Sequence, residues 1–324
     1  MNPQNNGIIV RGLEKGFPGV KAVAGIDLEI GSGEIFGLVG PDGAGKTTTL
    51  RMLCGILDID AGEARVGGIP VRENPEGVKA LAGYMSQRFS LYGDLTVAEN
   101  IYFFANLFHV PADERVRREQ QLLEASRMTP FRDRLARNLS GGMKQKLALS
   151  CALIHRPRIL FLDEPTTGVD PVSRRDFWKI LYSLVREGMT LVVSTPYMDE
   201  AERCNRIAFM HKGRILRCAS PRELKQGIPG DLIEVQADGI HGLDRRMLEV
   251  SGVTGVQKFG SRLHVRVAAA ATGMPRIAER MRAEGIAEPA MRLIHPSLED
   301  VFIDLVEGAG TARENTGAGE GVRQ

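Results

Sequence analysis

Gly40-Pro41-Asp42-Gly43-Ala44-Gly45-Lys46-Thr47-Thr48 is the stretch from which the rest of this 324-residue sequence can be read. It fits a glycine, four free positions, then Gly-Lys-Thr, the pattern of a phosphate-binding loop. Its flanks agree. Glu34 to Val39 (EIFGLV) is a short apolar run suited to a buried parallel strand, and Thr47 to Leu57 (TTTLRMLCGIL) has helical character. The loop therefore sits between strand and helix, as the motif requires. Gly43 and Gly45 carry no Cβ, so the chain there can take strained φ values and come close to an anion. Successive backbone N–H groups form a concave nest, and the positive end of the helix dipole adds attraction for phosphate. In that pattern Lys46 reaches the β- and γ-phosphates and the Thr47 hydroxyl ligates Mg2+. A glycine-rich turn with an incidental lysine is a poor competitor, because motif, strand and helix are all present. The loop predicts a nucleoside triphosphate and leaves the reaction open.

Working outward, the next informative run is Arg158 to Pro165 (RILFLDEP). Four apolar residues ending in two acids predict a buried parallel strand with carboxylates at its C-terminal end, where ligands bind in open α/β sheets. Two acids there are costly unless they meet a cation or a water to activate. Beside a phosphate loop, Asp163 is the expected Mg2+ partner and Glu164 the expected base for the attacking water. Ser140-Gly141-Gly142 opens a further helix, Met143 to His155. It is either a second anion-ready helix N-terminus or a simple cap by Ser140. Gln87 closes a short strand, Leu81 to Gln87, and carries no meaning alone. Phe17 lies in a turn signal, Lys15 to Gly19, between strands Ile8 to Leu13 and Val23 to Ile30. Spacing leaves two readings for it: an adenine stacker or a half-buried core residue.

Between these motifs the pattern changes character. Thr96-Val97-Ala98-Glu99 resembles a capping box, followed by helical periodicity to Val110, and Asp113 to Arg127 predicts a second, charged helix. An all-helical insertion, about 88–140, thus interrupts an α/β pattern. After the two acids come a loop carrying Asp170, a helix from Ser173 to Glu187, the apolar strand Thr190 to Ser194, then Thr195-Pro196-Tyr197. Met198 to Arg203 predicts a helix, and an edge hairpin turns at Lys212-Gly213. From Gly230 a small α+β unit of split βαβ appearance is expected, ending in the capped helix Ser297 to Val306. The polar, Gly-rich residues 308–324 are expected to be disordered.

Composition bounds the partners. The chain is 43% hydrophobic and 25% charged, with 42 basic and 40 acidic residues for a net charge of +2, which gives no reason to expect nucleic acid. Cys54, Cys151, Cys204 and Cys218 lack metal-type spacing and are expected as buried reduced thiols. No run reaches the ~18 apolar residues needed to span a bilayer. The N-terminal MNPQNNG lacks the features of a signal peptide. A membrane role is therefore expected to go through a partner.

Taken together, GPDGAGKTT at Gly40 to Thr48, Gln87, LSGGMKQ at Leu139 to Gln145, ILFLDEP at Ile159 to Pro165 and GVDP at Gly168 to Pro171 resemble the nucleotide-binding subunit of ABC transporters, over roughly Ile8 to Gln226. The phosphate loop is shared with many NTPases; LSGG followed closely by an LDEP strand is specific. The resemblance implies an α/β P-loop NTPase core with an inserted helical subdomain. It implies two subunits closing face to face, each ATP lying between Gly40 to Thr48 of one and Ser140, Gly141 and Gly142 of the other. It also implies that Gln87 senses Mg2+ and the attacking water, that Phe17 stacks on adenine, and that Asp170 lies at the dimer seam. The helical insertion would receive a membrane permease, on the cytoplasmic face of the cell membrane. The second subunit is a copy of this chain or a different one.

Two positions depart from the family pattern. Met143 stands where the general motif has glutamine, with little effect expected. Pro196 stands where the family has a histidine on the γ-phosphate, and it offers neither imidazole nor N–H. Hydrolysis is expected to persist through Glu164 but to be slower; the alternative is a nucleotide-gated module with weak or no turnover. PSLEDVF at Pro296 to Phe302 resembles the accessory domain of drug- and polysaccharide-type exporters. The expected domains are 1–229 for the ATPase, 230–307 for the accessory unit and 308–324 for the tail.

Overall fold

The computed structural model describes residues 7–88, 91–236, 242–286 and 288–317. The chain divides into two compact units, with the boundary between Ala219 and Ser220.

The first unit begins with a hairpin, β1 (Ile8–Phe17) and β2 (Val20–Ile30). Its turn is tighter than the sequence suggests. Phe17 pairs with Val20, and only Pro18 and Gly19 lie between. Proline presets φ and Gly19 takes φ +77°, so two residues reverse the chain. β3 (Ile35–Val39) leads into α1 (Lys46–Leu53), which ends short of Leu57 because Gly55 turns at φ +67°. β4 (Ala61–Val66), β5 (Ile69–Pro70), α2 (Pro75–Leu81) and β6 (Ala82–Met85) follow. α2 is absent from the sequence reading, yet Asn74-Pro75 announces it: Asn74 accepts from the Gly77 N–H at 2.8 Å, with proline at the first position.

The helical insertion contains α3 (Val97–Leu107) and α4 (Ala112–Ala125), and α5 (Gly141–Leu153) follows. The Thr96–Glu99 capping box forms in both directions. Val97, Ile101, Leu123, Leu147 and Ile154 share a core in this region. The chain then returns to β7 (Ile159–Asp163), α6 (Pro171–Arg186), β8 (Thr190–Thr195), α7 (Met198–Ala201), β9 (Arg206–His211) and β10 (Arg214–Ala219). One sheet has the order β2-β1-β4-β5 and the other β10-β9-β3-β8-β7-β6. β9, β3, β8, β7 and β6 run parallel in the second, and every residue of β3, β7 and β8 is buried. Unbroken apolar runs, rather than alternation, are what a sheet covered on both faces requires.

The second unit opens earlier than the expected Gly230. α8 (Pro221–Gln226) starts on a reciprocal Ser220–Glu223 capping box and packs against the last helix of this unit. Then come β11 (Asp231–Gln236), α9 (Leu243–Leu248), β12 (Val253–Phe259), β13 (Arg262–Val267), α10 (Ala270–Ala283), β14 (Ala290–Ile294) and α11 (Leu298–Gly317). The antiparallel order β12-β13-β11-β14 is the split βαβ plan expected. α11 extends through ten residues of the segment expected to be disordered, 308–317. A helix already nucleated by its cap propagates at little cost per residue. Residues 318–324 lie outside the described residues.

Candidate active site

Strand register assembles the site. Val39 of β3 lies level with Thr195 of β8, and Asp163 of β7 with Ser194. β6 flanks β7, with Met85 opposite Leu162. Loops carrying Gly40, Glu164, Pro196 and Gln87 therefore leave the same edge of the sheet, at its C-terminal ends.

The phosphate loop needs its glycines for measurable reasons. A Cβ on Gly40 would lie 2.1 Å from the Met210 carbonyl oxygen. Gly45 takes φ +108°, and a Cβ there would lie 2.4 Å from the Ala22 carbonyl oxygen. Gly45 is the N-cap of α1, and no side chain caps the first N–H groups of that helix. Those donors are what an anion satisfies. Lys46 is buried beneath the loop, where its Nζ donates to the carbonyls of Gly40 at 2.8 Å and Pro41 at 3.0 Å. It also lies 3.2 Å from Oε1 of Glu164.

The two acids have different surroundings. Asp163 is wholly buried and accepts from three hydroxyls: Thr47 at 3.0 Å and Ser194 at 2.6 Å on Oδ1, and Tyr84 at 3.1 Å on Oδ2. Burial pushes the Tyr84 hydroxyl up to about 12, so it remains a donor at neutral pH. Glu164 takes φ +48°, and its N–H is held by the Ser194 carbonyl at 3.1 Å and the Ser194 hydroxyl at 3.0 Å. Its Oε2 accepts from Gln87 Nε2 at 2.8 Å and from the Thr167 hydroxyl at 3.3 Å. Gln87, unremarkable in the sequence, thus touches Glu164.

Thr47 and Asp163 form an all-oxygen pair suited to a hard cation that takes its remaining ligands from phosphate and water. Among the described residues there is no group of three His, Cys, Asp or Glu able to hold a metal ion.

A cavity of about 650 Å³ lies over the loop, lined by Gly43 to Thr48, Gln87, Glu164 and Phe17. Phe17 is 46% exposed at the hairpin end and lies outside the buried core cluster of this unit. Lys21 and Lys212 also line this cavity. In the sequence Lys212 reads only as a hairpin turn, and Lys21, Tyr84, Ser194 and Thr167 carry no site role. Polar residues inside the apolar strands were the available signal for Tyr84 and Ser194.

Ser140, Gly141 and Gly142 are not brought to this cavity. Ser140 is the N-cap of α5, and its Oγ accepts from the Met143 N–H at 3.4 Å. Gly142 packs on α6, where a Cβ would lie 2.5 Å from the Ser173 Cβ. Ser140 and Gly141 are exposed. Within one chain, capping is the role they fill. Asp170 caps α6, accepting from the N–H groups of Val172 at 3.1 Å and Ser173 at 2.9 Å. Hydrogen bonds from Ser173, its side chain foremost, hold the Asp170 carboxyl below its usual range.

Residues 23–167 match the family model described as ABC transporter. Residues 220–306 match that of the ATP-binding protein DrrA1-3-like, C-terminal domain. The chain is 42% identical over 315 residues to the probable multidrug ABC transporter ATP-binding protein YbhF of Escherichia coli (strain K12), covering 96% of this chain and 54% of that protein. It therefore spans about half the length of that relative. It is 36% identical over 313 residues to the daunorubicin resistance ATP-binding protein DrrA2 of Streptomyces coeruleorubidus, covering 95% and 96% of the two chains. Among solved structures, the dimeric structure of MJ0796, a bacterial ABC transporter cassette, matches with a TM-score of 0.61 at 26% identity, covering 66% of this chain and 98% of that one.

Proposed function

This chain belongs to the ABC transporter ATP-binding family, and from that premise we propose that it binds and hydrolyses ATP as a pair of subunits and powers export through a separate permease. The observation that carries the proposal is the meeting of Lys46 and Gln87 on the Glu164 carboxylate, at 3.2 Å on Oε1 and 2.8 Å on Oε2, beside the Thr47–Asp163 pair.

The chemistry follows from those contacts. The adenine stacks on exposed Phe17, and the phosphates lie along the α1 N-terminus, where Lys46 compensates their charge. Mg2+, held by Thr47 and Asp163, would offset negative charge on the phosphate oxygens. The Glu164 carboxylate takes the proton of the attacking water, while Gln87 and Thr167 fix its orientation through Oε2. Ser140 to Gly142 of the second subunit close the site from the other side, with Asp170 at the seam. The dimeric cassette among the structural relatives supports this pairing.

Among the described residues no helix is long and apolar enough to cross a membrane. We propose the permease as a separate chain, and this subunit as peripheral on the inner face of the cell membrane. The names of two relatives, one multidrug and one daunorubicin resistance, support a drug-like cargo. Pro196 favours a second reading, a nucleotide-gated module of low turnover paired with a different ATPase subunit. Purification in detergent with the native membrane partner, followed by ATP turnover against a Glu164→Gln control, separates the two. Turnover that disappears in the control supports the enzyme; a complex with no turnover leaves the gated module.

A further inference from the structure

Glu200, in α7, plays no part in the chemistry above, yet it is 1% exposed. A carboxylate loses its water there and is tolerated only where donors and a cation replace it. Both kinds of partner are present. The Thr166 hydroxyl donates to Oε1, and the Thr195 hydroxyl donates to Oε2 at 2.7 Å. Arg174 Nε lies 3.6 Å from Oε1, and its guanidinium sits 4.9 Å from the Tyr197 ring centroid. Both threonines are themselves buried.

The segments that supply these partners give the cluster its meaning. Thr166 is two residues past Glu164. Thr195 ends β8, and Pro196 follows it. Arg174 lies in the first turn of α6, the helix capped by Asp170. One buried carboxylate therefore ties together three stretches of chain that leave the hydrolysis site. Glu164 needs such support, because its φ of +48° lies where residues with a side chain are uncommon. Backbone strain persists only where the surroundings over-determine it. Ser194 fixes Glu164 on its N-terminal side. On its C-terminal side the Thr167 N–H returns to the Glu164 carbonyl at 3.2 Å, and Thr166, between them, is held by Glu200.

Resting on the reading of Glu164 as the base, we propose that Glu200 is a positioning residue for ATP hydrolysis. Its carboxylate pins Thr166 to Thr195 and so holds the Glu164 carboxylate and the Thr167 hydroxyl where the attacking water must be met. The side-chain bonds of Glu200 reach none of Gly40 to Thr48, so nucleotide affinity is not their business.

The test is steady-state ATP turnover of the full chain purified with its membrane partner, comparing wild type, Thr166→Val and Glu200→Ala. Thr166→Val keeps volume and removes one hydroxyl, and it lowers kcat about tenfold with KM within about twofold, because it disturbs a transition-state contact and not binding. Glu200→Ala loses at least as much, and the double variant loses no more than Glu200→Ala alone, as expected of residues acting as one unit. Should Glu200→Ala fail to fold, Thr166→Val still decides. Wild-type kcat in Thr166→Val, with or without a lowered Tm, overturns the positioning role alone. A wild-type complex without turnover overturns the hydrolysis reading and this one with it.

Discussion

Two helix tips in this chain are built to meet an anion, and they differ in how finished they are. At the tip of α1 the loop is closed by packing: Gly40 and Gly45 face carbonyl oxygens closer than any Cβ allows, and Lys46 is buried under two further carbonyls. At the tip of α5 the packing stops at Gly142, while Ser140 and Gly141 stand exposed and engage only their own helix. The first tip has cavity, buried cation and acids around it in one chain; Ser140 to Gly142 of the second do not line that cavity. The difference is what the proposed two-chain clamp would require: one half complete within the chain, the other exposed and awaiting its ligand.

The sharpest way to break this comparison is to disable the tips separately. Lys46→Met and Ser140→Ala are each expected to abolish ATP turnover when alone. Mixed in equal amounts they form dimers in which one site has a bad loop and a bad tip, while the other has both intact. Random pairing then restores about a quarter of wild-type turnover, since half the dimers carry one good site of two. No recovery in the mixture, with dimers verified, means that the two tips do not share a nucleotide across chains. The Ser140→Ala chain by itself should lose only about 1 kcal/mol of stability, the usual worth of an N-cap, measured by denaturant unfolding.

A smaller effect separates chemistry from clamping. Glu164→Gln keeps an acceptor for Gln87 and Thr167 but cannot take a proton. Turnover should fall by about 10²–10⁴, the range for losing a general base, while ATP-dependent dimerisation persists by size-exclusion chromatography. A variant that hydrolyses at the wild-type rate moves the base elsewhere.

How much of this was legible follows the same division. The strand–loop–helix around Gly40 to Thr48 and the buried strand ending at Asp163 are legible because their motifs are local: each glycine, lysine and acid sits in one short run between recognisable elements. Ser140 to Gly142 are ambiguous from their spacing and take a role at ATP only through the family resemblance; within a single chain the role on view is capping. What escaped was set by strand register. Tyr84 and Ser194 reach Asp163 only because β6, β7 and β8 lie side by side, and adjacency is not written in any one strand. Glu200 escaped for the same reason, its two threonines being 34 and 5 residues away. The start of the second unit was missed differently: the Ser220–Glu223 box was present in the sequence, but a six-residue helix gives little periodicity to detect.

Pro196 tests the finished tip from the other direction. It follows Thr195, level with the start of the phosphate loop, and half-buried proline offers no donor. Pro196→His supplies one. A hydrogen bond to a charged group is worth roughly 1.5–3 kcal/mol, so single-site turnover should rise about tenfold or more. An unchanged rate means the Thr195–Tyr197 turn does not face the γ-phosphate.

Phe17 gives the smallest effect and the finest test of which chain owns which half. It stands at the end of β1 on the α1 side of the site, exposed, with Lys15 Nζ 5.9 Å from its ring centroid. Stacking on a base is worth about 1 kcal/mol at its lower limit, so Phe17→Ala should raise KM for ATP about fivefold and leave kcat alone. In the mixed dimers the outcome depends on placement. Added to the Ser140→Ala chain, whose loop is the working one, Phe17→Ala raises KM. Added to the Lys46→Met chain, whose loop is already dead and which contributes only its α5 tip, it changes nothing. Equal effects from both placements assign Phe17 to the fold of the hairpin rather than to the base.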